Sequence, residues 1–269
     1  MEVSRVRRTG GVARVRQAAH RLASQPYAPR MPHTLYVIHG SHPSITAERA
    51  LQLKGQPYRL HEMAPALHVP EQWLRFRALT VPALRLGSGE KIVGSRAIVH
   101  RLDELVPEPP LLPADPEQRA RVVEAERWGD EVLQPVPRRL AWTGVCTRPD
   151  ALASYSEGSR LPLPGFVQRL AAPRIARVAR WRNRAGEEPA RRDLAALPGM
   201  LDQVDTWIAE GVMGGAEPNA ADLQIGPSIS LLATMEDVQP LLEGRPCLAL
   251  AQRLFPSRPG HMPAGALPV

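Results

Sequence analysis

The stretch VPALRLGSGEKIVGSRAIVHRLDEL, residues 81–105, decides the fold. Two short apolar runs flank the Gly87-Ser88-Gly89 turn, and a turn that short joins antiparallel neighbours. After them Ile98, Leu102 and Leu105 recur at helical spacing, with Ser95 placed to cap the helix. The segment therefore reads strand, tight turn, strand, helix. Upstream, TLYVIHG (34–40) is a β-branched and aromatic run ending in glycine, the pattern of a buried strand. SHPSITAERALQLKG (41–55) follows with a mostly helical period, Ser41 or Ser44 as the cap and Gly55 as the stop. PYRLHEM (57–63) alternates as a second strand. One helix between two strands in so short a span predicts a right-handed unit with parallel strands. HVPEQWLRFRA (68–78) is a weaker helix or loop. The order is βαβ, a linking segment, then ββα.

Downstream, PEPPLLPADP (107–116) is a proline-rich connection and a natural domain boundary. Beyond it only helical periods are legible, at about 116–134, 164–184, 190–210, 219–235 and 238–255. Pro135 and Pro137 are expected to bend or end the first of these. Asn219, with Asp222 three residues on, forms a variant capping box.

The chain has 269 residues and a formal charge of +7, from 34 Lys and Arg against 27 Asp and Glu. Residues 1–30 hold seven Arg against Glu2, so most of the excess belongs to an N-terminal arm, and residues 31–269 carry only +1. Of the basic residues only Lys54 and Lys91 are lysines. No apolar stretch is long enough to span a bilayer. Two cysteines, Cys146 and Cys247, are too few for a disulfide framework and lack a metal-ligand spacing. A reducing, cytoplasmic setting is expected, with no metal. Residues 160–192 hold nine Arg against Glu187 and Glu188, and Arg174, Arg177 and Arg180 make a basic stripe. Only Trp181 interleaves and no nucleic-acid motif appears, so the stripe reads as a solvated face rather than a nucleic-acid site.

The element order with four local signals resembles the cytosolic glutathione S-transferase family. The signals are Val81-Pro82 before the third strand, GSRAIVHRLDEL (94–105), LLPADPEQRA (111–120) and NAADL (219–223). The resemblance spans about residues 33–255. It implies an α/β thioredoxin-like domain (βαβ-ββα, mixed sheet) over 32–106, a linker at 107–116 and an all-α helical-bundle domain over 117–255. Residues 1–31 are then a disordered or mis-started arm and 256–269 a loose tail.

The resemblance implies an enzyme that activates the thiol of glutathione, as co-substrate, for attack on a small electrophile. A hydroxyl near a helix N-terminus can stabilise a thiolate. Ser41 is the first candidate donor and Ser44 the second, the alternative being that either caps the helix. For glutathione itself the resemblance implies a cis Val81–Pro82 peptide that turns the Val81 backbone toward the cysteinyl unit. It implies Ser95 at a helix start for the γ-glutamyl carboxylate, with Arg96 adjacent. His68, Arg75 and Arg77 are candidates for the glycyl carboxylate. His39 and His42 flank Ser41 and read chiefly as solvated loop residues, Tyr36 as packing. Trp128, Glu131 and Trp142 are candidate liners of the electrophile site. The absence of cysteine from SHPS (41–44) argues against mixed-disulfide chemistry. Gly94 stands where the family carries an acidic residue for the γ-glutamyl amine. This departure keeps open a non-catalytic binding or interaction protein, or a user of a different low-molecular-weight thiol. The family implies a homodimer and no membrane partner.

Overall fold

The computed structural model describes residues 31–65, 67–161, 165–256 and 258–268. The expected arm, apart from the exposed Met31, lies outside the described residues, as does the side chain of Arg169. Four strands form one sheet: β1 (His33–Val37), β2 (Tyr58–Glu62), β3 (Ala83–Arg85) and β4 (Lys91–Val93), in the order β2-β1-β3-β4. β1 and β2 run parallel, with Leu35 opposite Leu60. β3 lies antiparallel to β1, with Leu35 opposite Leu84, and β4 is antiparallel to β3. The mixed sheet and its βαβ-ββα order are those the sequence predicts.

Three helices accompany the sheet. They are α1 (His42–Leu53), α2 (His68–Phe76) and α3 (Ser95–Leu105). α1 ends where Gly55 takes a left-handed φ of 61° and Gln56 N–H returns to Leu51 O at 3.0 Å. Leu51, Ile98 and Leu102 from these helices and Leu35 and Leu84 from the sheet are fully buried. Each such side chain contributes about 2 kcal/mol relative to exposure.

The remainder is mostly helical. α4 (Pro116–Trp128) runs into a π-type turn, Gly129–Leu133, and then α5 (Pro135–Thr147). The expected stop at Pro135 and Pro137 is therefore a change of helix rather than an end. Both prolines sit in the first turn of α5, where backbone N–H groups need no intrahelical acceptor. A short helix, α6 (Leu152–Tyr155), precedes α7 (Gly165–Arg182) and α8 (Glu187–Ala209). Then come α9 (Ala220–Leu232), α10 (Gln239–Leu242) and α11 (Pro246–Leu254). On α7, Arg174, Arg177 and Arg180 make no ion pair with a described residue, whereas Arg191 and Arg192 pair with Glu187 and Glu188.

α9 is buried at every position and packs against α1, α4 and α11. Its capping box forms: Asn219 Oδ1 accepts from Ala221 and Asp222 N–H, and Asp222 Oδ2 accepts from Asn219 N–H at 2.9 Å. Asp222 Oδ1 also accepts from Gly214 N–H at 2.9 Å. Asp222→Ala thus strands two main-chain donors and is expected to destabilise the protein by about 2–3 kcal/mol. Urea unfolding followed by tryptophan fluorescence checks this; an unmoved midpoint refutes it.

The 256–269 stretch corrects an expectation. Its described part is not a loose tail: Met262, Ala266 and Leu267 are buried, and Met262 bridges to Met235. Glu236 accepts from Ala264 N–H, and Asp237 accepts from Gly265 and Leu267 N–H. Carboxylates between α9 and α10 hold a backbone that proline and glycine leave without regular structure.

Candidate active site

A cavity of about 720 Å³ lies between the sheet layer and helices α5, α6 and α7. The turn after β1, the loop before β3 and the start of α3 open onto it together. Ser41, Val81, Pro82, Gly94 and Ser95 all line it.

Ser41 occupies the cap position of α1, yet its side chain makes no capping bond. The main chain closes the turn instead, with Ser41 O accepting from Ser44 and Ile45 N–H at 3.0 and 3.1 Å. Among the described residues the Ser41 hydroxyl has no hydrogen-bond partner, and it is left unspent on the cavity wall. Ser44 is buried, with Oγ unpartnered among the described residues, and does not line the cavity. His42 is buried and donates from Nε2 to Gln134 O at 3.1 Å. Burial, followed by the charges of Arg138 and Arg258, holds its pKa well below the ordinary histidine value, so the ring is neutral. His39 donates from Nε2 to Glu157 O at 2.7 Å. His42 is therefore not the solvated loop residue the sequence suggests, whereas His39 stays in the part-exposed turn after β1.

The Val81–Pro82 peptide is cis, as is Glu108–Pro109 in the linker, which the sequence reading missed. Gly94 N–H donates to Pro82 O at 2.9 Å, tying the start of α3 to this loop. Gly94 itself is the cap residue of α3, with φ 94° and ψ 141°. That left-handed backbone suits glycine and disfavours the acidic side chain the resemblance implies. Ser95 is the first helical residue rather than the cap, and its N–H belongs to the unpaired first turn. Arg96 turns away from the cavity to Glu126, at 3.1 Å, which also accepts from His100 Nε2 at 2.6 Å.

Among the candidates for a glycyl carboxylate, His68 lines the cavity, and burial lowers its pKa. Arg75 instead pairs with Glu71 at 2.8 Å, and Arg77 stacks over Trp73 at 4.2 Å. Tyr36 packs edge-on against Phe76. Of the expected electrophile-site residues, Trp142 lines the cavity. Trp128 packs against Trp207, and Glu131 pairs with Arg127 on the surface.

The sequence reading did not foresee Asp130, Gln134 and Arg138 in the cavity wall, where the π-type turn and α5 deliver them. It also missed Arg258, which donates from Nη2 to Gly40 O at 2.6 Å and from Nη1 to Pro227 O at 3.2 Å. Burial lowers that guanidinium to about 10. Arg258 thus ties the 258–268 segment to the residue before Ser41.

Both cysteines are free. Cys247 is buried, which with Asp205 pushes its thiol up to about 12. No group of metal-ligating side chains occurs among the described residues, and none of their helices is long and apolar enough to cross a membrane.

Residues 35–110 match the family described as glutathione S-transferase, N-terminal domain. No curated protein matches the chain in sequence. Among solved structures, a β-etherase from Sphingobium sp. strain SYK-6 is 18% identical with a TM-score of 0.56, covering 83% of this chain and 99% of that one. A glutathione transferase from Populus trichocarpa is 15% identical with a TM-score of 0.57, covering 84% and 94%. The maleylacetoacetate isomerase from Anaeromyxobacter dehalogenans, with glutathione bound in its active site, is 23% identical with a TM-score of 0.51, covering 83% and 89%. At these identities the likeness shows the fold.

Proposed function

We propose that this chain, which carries a glutathione S-transferase N-terminal domain at residues 35–110 and has the glutathione S-transferase fold, binds glutathione along its βαβ-ββα layer and joins its sulfur to a small electrophile. One observation carries the reading: the unspent Ser41 hydroxyl, the cis Val81–Pro82 peptide and the unpaired start of α3 at Ser95 face a single cavity. In this reading the Ser95 end of α3 holds the γ-glutamyl carboxylate on free N–H groups and the helix dipole. The main chain of Val81 pairs with the cysteinyl unit. Ser41 Oγ–H donates to the sulfur and favours the thiolate.

The thiol proton passes to water and the sulfur pair forms a carbon–sulfur bond. In a displacement, the leaving group takes the electrons of the bond that breaks. In an addition to an activated alkene, the displaced pair moves to the neighbouring carbon, which then takes a proton. Trp142 and the apolar faces of α5 and α7 supply a wall for the electrophile's hydrocarbon body.

Gly94 favours a second reading, in which the cavity takes another low-molecular-weight thiol or binds without chemistry. Calorimetry with glutathione and with shorter thiols, together with product assays on a panel of small electrophiles, separates the two. The first reading expects saturable glutathione heat at submillimolar ligand and a thiol-dependent product. Saturation by a different thiol alone supports the second.

A further inference from the structure

The cavity holds a cation that the thiol reading leaves unused. Arg138 lines it from α5, and its Nη2 donates to Gln134 Oε1 at 2.5 Å, its single partner among the described residues. A guanidinium carries five N–H donors, so most of its capacity is open. Burial, with the charge of Arg139 adding, lowers its pKa, while Asp130 opposes the shift. The carboxylates on the same walls have hydrogen-bond partners of their own, and Asp130 acts on Arg138 through its charge, with no hydrogen bond between them among the described residues. Glu62 accepts from Ser159 Oγ and from Arg160 N–H. Asp130 accepts from the side-chain amides of Gln134 and Gln224 at 3.1 and 3.0 Å, and Asp150 from Arg148. A half-buried guanidinium whose one hydrogen-bond partner among the described residues is an amide oxygen keeps donors free to take an anion from the cavity. Beside it the wall is apolar: Trp142 sits one turn further along α5, and Ile175 and Ala179 face it from α7.

From this we infer that Arg138 is an anion-binding subsite, which takes the carboxylate of an aryl or otherwise apolar acid whose hydrocarbon body lies against Trp142. The inference deepens the thiol-transfer reading by naming the electrophile class, an apolar acid. The binding itself needs no thiol. Its competitor is that Arg138 serves the thiolate through its nearness to His42, in which case it would act on every electrophile alike.

Binding of naphthalene-2-carboxylate and of the neutral naphthalene-2-carboxamide, followed by quenching of tryptophan fluorescence, tests it on the full chain. The acid is expected to bind the wild type at least about tenfold more tightly than the amide, as a charge-assisted bidentate contact implies. Arg138→Gln should abolish that preference and leave amide binding unchanged, and Arg138→Lys should restore part of it. Equal binding of acid and amide to the wild type overturns the inference. So does an Arg138→Gln variant that loses both ligands equally or keeps the preference. A chain that prefers the acid but turns over no thiol refutes the transfer reading and leaves the subsite standing.

Discussion

Ser41→Ala is expected to lower glutathione-dependent turnover about 100-fold, the loss typical of one preorganised donor to a developing or stabilised anion. Removing the hydroxyl takes nothing from the helix, because Ser41 Oγ makes no capping bond and the turn is closed by its carbonyl. Stability should therefore be nearly unchanged, and the loss is one of chemistry. The bound thiol should ionise at higher pH, because its hydrogen bond to the charged form is gone. Ultraviolet absorbance of the bound thiolate, measured against pH for wild type and variant, reads this directly. Ser44→Ala is the control: Ser44 is buried away from the cavity, so turnover should persist. Undiminished turnover in Ser41→Ala would remove that hydroxyl from the mechanism.

Lys54→Met is expected to cost about 3–5 kcal/mol of stability, the largest effect of any single change considered. Lys54 lies at the C-terminal end of α1 and is 3% exposed. Its Nζ meets Asp103 Oδ1 at 2.6 Å, Pro109 O at 2.5 Å and Pro107 O at 3.5 Å. Three donors on a compact ammonium face three oxygens drawn from α3 and the linker. Methionine fills the volume but leaves the half-buried Asp103 carboxylate with Leu111 N–H, at 2.7 Å, as its one remaining donor among the described residues. Lys54→Arg should fall between, because a planar fork cannot reproduce the tetrahedral arrangement. Urea unfolding monitored by circular dichroism checks the order wild type, arginine, methionine. A methionine variant as stable as wild type would show that the charge contributes nothing net.

Lys54 also shows what composition can reveal. In a chain whose basic residues are otherwise almost all arginine, each lysine is an exception, and this one sets its ammonium between a carboxylate and two linker carbonyls. The sheet and its helices were legible because their signals are local: the Gly-Ser-Gly turn, alternating strands, Gly55, and the Asn219 and Asp222 pair. Ser41, Val81, Pro82 and Ser95 were legible through family likeness, since nothing local distinguishes an unspent serine from a capping one. α5 was missed because Pro135 and Pro137 were weighed as breakers, although a first helical turn accommodates them. Arg138 was lost with it. The partners of the C-terminal segment were hidden for another reason. Glu236 and Asp237 lie far back in the chain, and no short window shows that they catch the N–H groups of 264–267.

The π-type turn at Gly129–Leu133 sets the phase between two halves of what would otherwise be one rod. Before it, Val122, Ala125 and Glu126 face inward; after it, Arg138 and Trp142 face the cavity. Each residue in an α-helix advances the azimuth by about 100°. A π-type turn takes up one extra residue by winding more loosely, so each of its residues advances the azimuth by less than that. Deleting one residue from it would restore ordinary winding and leave the later half in nearly the same phase. Arg138 and Trp142 would go on facing the cavity, and the change would fall on Asp130, the wall residue that the turn itself carries. A single codon loss could thus alter one charged element of the ligand site with the scaffold intact.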